Sequence, residues 1–239
     1  MGRIVNIKTN IRYWVPAEQE RDEEDEPEEE ADDFQCVVYF WQGRDSSNMG
    51  WLTFTFSLQK KFESLFGEKL EVVRMHQQQE NLKFMSHFNN GLIIKRGRRK
   101  EVRGPGWKPQ TDFFQLRSNG SCLYRRCVQI KNDSSLLNSC FCYILKVPFD
   151  AEDKSGIVYV WIGEKADAEE ARVAEDIAYS LYDTESFSLQ VLNEGEEPEN
   201  FFWVGLGEKK AYEKEADFMN YTRLFRCSNE KGQLLVRLF

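Results

Sequence analysis

Two stretches of the chain share one pattern of apolar and polar positions. Val37-Val38-Tyr39-Phe40-Trp41-Gln42-Gly43 and Ile157-Val158-Tyr159-Val160-Trp161-Ile162-Gly163 lie 120 positions apart, and each is a run of β-branched and aromatic residues stopped by glycine. Such runs predict central strands that enter a turn. Each is followed by a polar turn, a helix-length segment (about 47 to 66, about 167 to 182) and a short strand-like run (Leu70 to Arg74, Ser188 to Leu192). Glu80 and Phe84 then match Glu197 and Phe201 at an offset of 117, so the intervening loops differ in length by three residues. Self-similarity of this kind marks two copies of one domain.

The second copy has three more strand-like runs ahead of its Trp-x-Gly segment: Asp112 to Arg117, Leu123 to Ile130 and Phe141 to Val147. The last two are expected to face each other across the turn from Asn132 to Ser139. Ahead of the first copy there is only Arg12-Tyr13-Trp14-Val15, so the sheet of that copy is expected to lack its beginning. The layout that follows is an incomplete first domain over 1–94, a basic linker over 95–110 broken by Gly104, Pro105, Gly106 and Pro109, a second domain over 111–207, and a tail over 208–239.

Placed on a wheel of 100° per residue, the segment 47 to 66 has two apolar faces. Trp51, Phe54, Leu58, Phe62, Leu65 and Phe66 form one stripe, wide enough to pack on a sheet. Met49, Leu52 and Phe56 fall on the other side, beside Lys60 and Glu63. A large aromatic on a solvent face, flanked by charge, has the chemistry of a partner-binding anchor, and cover by loops or by the neighbouring domain is the alternative. In the second copy Ala171, Ala174, Ile177, Ala178 and Leu181 make the apolar stripe, whereas Glu169, Arg172, Glu175 and Asp176 make an ordinary solvated face. Glu170 lies on the apolar side, either as a buried ligand-type carboxylate or as an acid favoured by the helix N-terminus.

Charge changes the picture once it is divided. The formal net charge is −8, but residues 17 to 33 hold twelve carboxylates against Arg21, which leaves the rest at +3. That acidic run repels itself and has nothing apolar to bury, so it reads as a disordered insertion, or as an element for a basic partner. Lys95, Arg96, Arg98, Arg99, Lys100 and Arg103 cluster in the linker, the footprint expected for phosphoinositide headgroups or for a solvated connector. Six cysteines without C-x-x-C spacing and only two histidines, His76 and His87, argue for reduced thiols and against a zinc site. No phosphate-binding loop, nucleophile elbow or dinucleotide fingerprint is present, and no apolar run is long enough for a membrane span. The sequence nominates no catalysis, no cofactor, no nucleic acid and no transmembrane segment, and points to the cytoplasm.

The strands ending Tyr-x-Trp-x-Gly, the run Val72-Val73-Arg74-Met75-His76-Gln77-Gln78-Gln79-Glu80-Asn81, the Phe84 to Phe88 segment and the Gly91-Leu92-Ile93-Ile94 ending resemble a gelsolin/villin-family repeat. Leu137-Asn138-Ser139, Val158 to Gly163 and Asn193-Glu194-Gly195-Glu196-Glu197-Pro198 resemble the next one. The resemblance covers about residues 12 to 230 and corresponds to the fourth and fifth repeats of a six-repeat member. It implies an α/β fold of two gelsolin-like (ADF-homology-like) domains, each a mixed central sheet between a long and a short helix, the first incomplete at its N-terminal side. Thr222 to Leu235 would then open a third repeat that is cut off, making the chain a fragment.

By the same resemblance the partner is actin, the setting is the cytoskeleton, with the nucleus also open, and severing or capping belongs to a longer parent chain. In repeats that grip actin the long helix inserts an apolar residue into a cleft of actin; Phe56 occupies that position here, supported by Leu52, Met49 and Lys60. Calcium is another matter, because family repeats hold it through a strand aspartate and a helix glutamate. The helix position in the first copy is Gly50, and a further aspartate that would share a calcium with actin is replaced by Phe62. In the second copy Glu170 remains as a vestige, but the strand aspartate is replaced by Phe141. Calcium-independent actin binding without a metal is the expectation. The alternative is a scaffold that has lost actin binding and reaches other cytoskeletal or signalling proteins through the acidic insertion, or phosphatidylinositol phosphates through the basic linker.

Overall fold

The computed structural model describes residues 2–4, 36–88, 91–97, 104, 106–118, 125–217, 225–228 and 235–238. The acidic insertion and Arg12 to Val15 lie outside the described residues. The chain divides into a first unit, Met1–Arg103, and a second, Gly104–Phe239.

In the first unit β1 (Gly2–Ile4) pairs antiparallel with β4 (Leu92–Arg96). Strand β2 (Cys36–Gln42) pairs parallel with β3 (Leu70–His76), from Cys36 opposite Leu70 to Gln42 opposite His76. A helical segment joins them: α1 (Met49–Thr53), a π-helical stretch Phe54–Gln59, and α2 (Lys60–Phe66). Three hydroxyls bond back one turn within it: Thr53 Oγ1 to Met49 O at 2.9 Å, Thr55 Oγ1 to Trp51 O at 3.0 Å and Ser57 Oγ to Thr53 O at 2.5 Å. Back-bonding of this kind competes with the helical ladder, and π turns are wider than α turns. The wheel drawn at 100° per residue therefore loses phase. Phe54 is buried as expected, but Leu58 is 47% exposed and Leu65 74% exposed, so neither belongs to the packed stripe. A short helix, α3 (Leu82–Met85), follows β3, capped by the Asn81 side chain accepting from Phe84 N at 2.8 Å.

In the second unit five strands form a mixed sheet in the order β6-β5-β7-β8-β9: β5 (Asp112–Arg117), β6 (Arg126–Gln129), β7 (Cys142–Pro148), β8 (Gly156–Ile162) and β9 (Phe187–Asn193). All neighbours are antiparallel except β8 and β9, which are joined by α4 (Ala168–Leu181) and lie parallel. The runs expected to face each other across the Asn132 to Ser139 turn, β6 and β7, are not neighbours, because β5 lies between them. The reason is apolar demand on both faces: Phe113, Phe114 and Leu116 are all fully buried, which suits a central strand and not an edge. The chain from β6 to β7 runs over one face of the sheet, where Tyr143 Oη donates to Leu136 O at 2.9 Å.

Alternation along the strands sorts the core into two layers. Phe113, Tyr143, Leu145, Tyr159 and Trp161 pack with Phe202, Trp203 and Leu206 of and beside the short helix α5 (Phe202–Gly205). The residues of opposite parity, among them Phe114, Ile144, Val158 and Val160, face α4, whose Val173, Ala174, Ile177 and Ala178 are buried. The mixed sheet thus lies between a long helix and a short one, an α/β arrangement. Gly163 ends the Trp-x-Gly motif because a Cβ there would stand 2.3 Å from Ser139 O. Further on, β10 (Phe225–Ser228) and β11 (Leu235–Leu238) form an antiparallel pair.

Candidate functional site

The repeat seen in sequence is also a repeat of side-chain chemistry. Trp41 Nε1 donates to Glu80 Oε1 at 2.9 Å, and Trp161 Nε1 donates to Glu197 Oε1 at 2.8 Å. Each glutamate also accepts from a backbone N–H in a tight turn, Gln78 N at 3.1 Å and Gly195 N at 3.0 Å. Both turn residues have positive φ, 73° at Gln78 and 94° at Gly195, so the first copy holds a glutamine where the second uses glycine. At the offset of 117 Phe84 and Phe201 differ: Phe84 is buried edge-on to Tyr39, whereas Phe201 is half exposed beside Phe149, and Phe202 takes the edge-on place against Tyr159.

The long helix of the first unit is fixed by its inner side. Phe40 packs against Trp51 and Phe54, with ring centroids 5.1 and 5.2 Å apart, and Phe54, Phe62 and Phe66 continue the aromatic row. Its start is tied to the strand ends. Arg74 Nη2 donates to Gln42 Oε1 at 3.0 Å and to Asn48 Oδ1 at 2.9 Å, and the same guanidinium lies 4.8 Å over the Trp51 ring. Gln42 Nε2 completes the network by donating to Ser47 O at 3.1 Å. The outer side is open. Phe56 is 72% exposed, Met49 65% and Leu52 43%, and Lys60 is exposed with them. The nearby hydroxyls of Thr53 and Ser57 are spent on helix carbonyls, so the exposed side offers apolar surface and the Lys60 cation.

The outer side of the second helix is mostly charged, with Tyr179 as its one exposed large aromatic. Glu169, Arg172 and Asp176 are exposed, with Arg125 and Glu169 paired at 2.8 Å. Asp167 caps the helix, its carboxylate accepting from Glu169 N at 2.9 Å and Glu170 N at 3.2 Å. Glu170 is buried and accepts from Ser118 N at 3.1 Å and from the Ser118 hydroxyl. Burial holds its carboxyl above the usual range, against the Ser118 hydrogen bonds. Beside it the Cys142 thiol is pushed up to about 12, by burial first and then by the Glu170 and Asp167 charges, which leaves it unreactive.

Gly50 and Phe62 bring no side-chain oxygen to the first helix, and Phe141 is buried in the second core. Among the described residues no three His, Cys, Asp or Glu side chains gather as a metal-binding group. Of the basic cluster, Lys95 and Arg96 are the last residues of β4 and both have interaction partners; Arg98, Arg99, Lys100 and Arg103 lie outside the described residues. Among the described residues no helix is long and apolar enough to cross a membrane. Sequence reasoning missed Val173, which is buried with the apolar stripe of α4, and the Lys146 ion pairs, for which residue patterns gave no signal.

No family model matches the chain. Curated relatives do. The chain is 59% identical over 244 residues to Protein flightless-1 homolog of Homo sapiens, across 94% of this chain and 19% of that protein. It is 61% identical over 208 residues to Protein flightless-1 of Drosophila melanogaster, across 86% of this chain and 17% of that protein. Gelsolin of Gallus gallus is 32% identical over 207 residues, across 84% of this chain and 25% of that protein. The chain thus spans about a sixth to a quarter of the length of these curated relatives. Among solved structures, the Thorarchaeota 2DGel3/rabbit actin complex matches at a TM-score of 0.33 and 20% identity, across 71% of this chain and 82% of that one.

Proposed function

With kinship to the flightless-1 proteins and to gelsolin as the premise, we propose that this chain is a non-catalytic actin-binding module that grips actin through the outer face of its first long helix. The observation that carries it is the exposed cluster of Phe56, Met49 and Leu52 beside Lys60. The inner side of the same helix is anchored by five aromatic rings, so the outer face is held in place and not spent on the core. Phe56 is the central anchor, Leu52 and Met49 widen the apolar contact, and Lys60 supplies a cation at its rim, the usual division between a buried hot spot and a polar border.

The same reading makes binding indifferent to calcium. A hard cation needs several oxygen ligands. Gly50, Phe62 and Phe141 supply none from their side chains, and Glu170 is engaged by Ser118. Full burial of a Phe side chain contributes about 1.5–3 kcal/mol, so Phe56→Ala is expected to weaken actin binding by about 2 kcal/mol, roughly thirtyfold. Sedimentation of the purified chain with monomeric and filamentous actin, with calcium and with chelator, tests both parts. Binding that is equal in calcium and chelator and weakened roughly thirtyfold in Phe56→Ala is the expected result. A folded chain that does not sediment with actin overturns the module reading, and binding that needs calcium overturns the metal-free part alone.

A further inference from the structure

Each apolar residue of the outer face on the first helix has a charged counterpart in the second copy. At the offset of 120, Met49, Leu52 and Phe56 match Glu169, Arg172 and Asp176, all three exposed on α4. The shared frame accepts charge at these positions, so an apolar residue at one of them serves what the face meets and not the core. Met49 differs from the other two in carrying a thioether, which can be changed chemically in place. It is the first residue of α1 and is 65% exposed. Met75 and Met85 are 4% and 3% exposed, and Met1 and Met219 lie outside the described residues. Oxidation of sulfur follows exposure, so among the described methionines Met49 is the one open to a dissolved oxidant. The described thiols are less open, with Cys127 and Cys142 buried and Cys36 and Cys140 half-buried.

We propose that Met49 is an oxidation site that regulates actin binding: a hydroperoxide converts its thioether to the sulfoxide, and the sulfoxide weakens the grip of the outer face. This rests on the reading of that face as the actin-binding surface. In the forward step the sulfur lone pair attacks one peroxide oxygen, and the S–O bond forms as the O–O bond breaks. The departing oxygen takes the proton of the transferred OH, so sulfur is oxidised by two electrons and the peroxide leaves as an alcohol, or as water where the oxidant is hydrogen peroxide. In the return step two thiols supply two electrons and two protons, the sulfoxide oxygen leaves as water, and the thiols join as a disulfide.

The product puts a polar, chiral group where a flexible apolar one stood. Met49, Leu52 and Phe56 lie at i, i+3 and i+7, the spacing of one helical face, and all three are exposed. A partner that covers Phe56 therefore covers the sulfoxide oxygen as well. In the free chain that oxygen keeps its water; covered by apolar surface it is an acceptor without a donor. Oxidation thus acts on the bound state and spares the fold, since a charged side chain, Glu169, stands at the matching place on α4.

The test compares the full chain with Met49→Leu and Met49→Gln. Each is treated with hydrogen peroxide, freed of it, and reduced with dithiothreitol, which restores disulfides and sulfenic acids but not sulfoxides, before sedimentation with actin. Peptide mass spectrometry reads the sulfoxide at each methionine. In the parent chain Met49 sulfoxide should form ahead of Met75 and Met85, affinity should fall about tenfold with the melting transition in place, and methionine sulfoxide reductase should restore binding. Met49→Leu should bind as the parent does and keep its affinity after peroxide. Met49→Gln, which places an amide where the sulfoxide would stand, should bind about tenfold more weakly with no oxidant. Unchanged affinity once Met49 is fully oxidised, a loss that Met49→Leu shares, a loss that comes with a lower melting temperature, or parent affinity in Met49→Gln would each overturn the proposal and leave the module reading standing. An untreated parent chain that does not sediment with actin overturns the module reading and this proposal with it.

Discussion

Replacing Glu197 probes the motif that the two copies share. Trp161 is fully buried, and its Nε1–H has Glu197 Oε1 as acceptor at 2.8 Å; Gly195 N donates to the same oxygen at 3.0 Å. Glu197→Ala takes away the acceptor and leaves the indole N–H without a partner. A buried donor left unsatisfied costs about 1–3 kcal/mol, and the turn bond from Gly195 is lost with it, so about 2–3 kcal/mol is expected. Glu197→Gln keeps a carbonyl oxygen in the same place and should cost at most about 1 kcal/mol, the part that belongs to the carboxylate charge. Urea unfolding followed by tryptophan fluorescence reads the loss as a lower midpoint at constant slope. The indole N–H resonance of Trp161 locates it: the resonance should shift and exchange faster in Glu197→Ala and stay in place in Glu197→Gln. A Gln variant as damaging as the Ala variant, or an Ala variant within about 0.5 kcal/mol of the parent, would refute the hydrogen-bond account.

Three further outcomes follow from buried or strained groups. Lys146 is buried, paired with Asp153 at 2.5 Å and within 3.8 Å of Asp112; Asp153→Asn should cost about 3 kcal/mol in urea unfolding, and adding Lys146→Met to it should recover part of the loss, because the buried ammonium, left with only the more distant Asp112, is then gone. Glu170 has its folded pKa raised by burial, so the native state binds the extra proton and stability falls as pH rises from the ordinary glutamate value through the folded one; Glu170→Gln should be the more stable chain at pH 7 in thermal melts, with the gap closing toward pH 4. Gln78 sits at φ 73° where the other copy has Gly195, so Gln78→Gly should be neutral or stabilise the first unit by up to about 1 kcal/mol, net of the exposed Arg44 to Gln78 hydrogen bond.

The repeat was legible because it rests on alternation: both Trp-x-Gly runs are strands, both are followed by a helix and a parallel strand, and both tryptophans find a glutamate. Strand order was less legible. Adjacency in sequence suggests that β6 and β7 pair, but the choice of central strand depends on which run buries both faces, and the three fully buried residues of β5 decide it. The exposure of Leu58 and Leu65 was hidden for a different reason. A wheel presumes one angular step per residue, whereas the step changes through Phe54–Gln59, and nothing in residue type alone announces that a helix will widen there. The Thr53, Thr55 and Ser57 hydroxyls are the nearest thing to a signal, since each can bond back to the turn before it.

The π-helical stretch also bears on how one frame supports two uses. In the second unit the long helix spends its apolar side on a five-stranded sheet and meets solvent with Glu169, Arg172, Asp176 and the ring of Tyr179. In the first unit only β2 and β3 form that sheet among the described residues, and the inner side relies on packed rings from Phe40 to Phe66. Phe54 and Phe56 are two residues apart, yet one is buried and the other is the most exposed aromatic of the helix. Opposite placement at that spacing is close to what a helix requires, since residues i and i+2 never share a face. The exposure of Phe56 is thus a consequence of anchoring Phe54 against Phe40, and any change that loosens that inner contact should also blur the outer one. Phe40→Ala is therefore expected to weaken actin binding without touching the proposed surface, whereas a Glu169→Ala change on the second helix should leave it unaltered. Equal losses from both in the sedimentation assay would mean that the binding face is not the one held by the first helix.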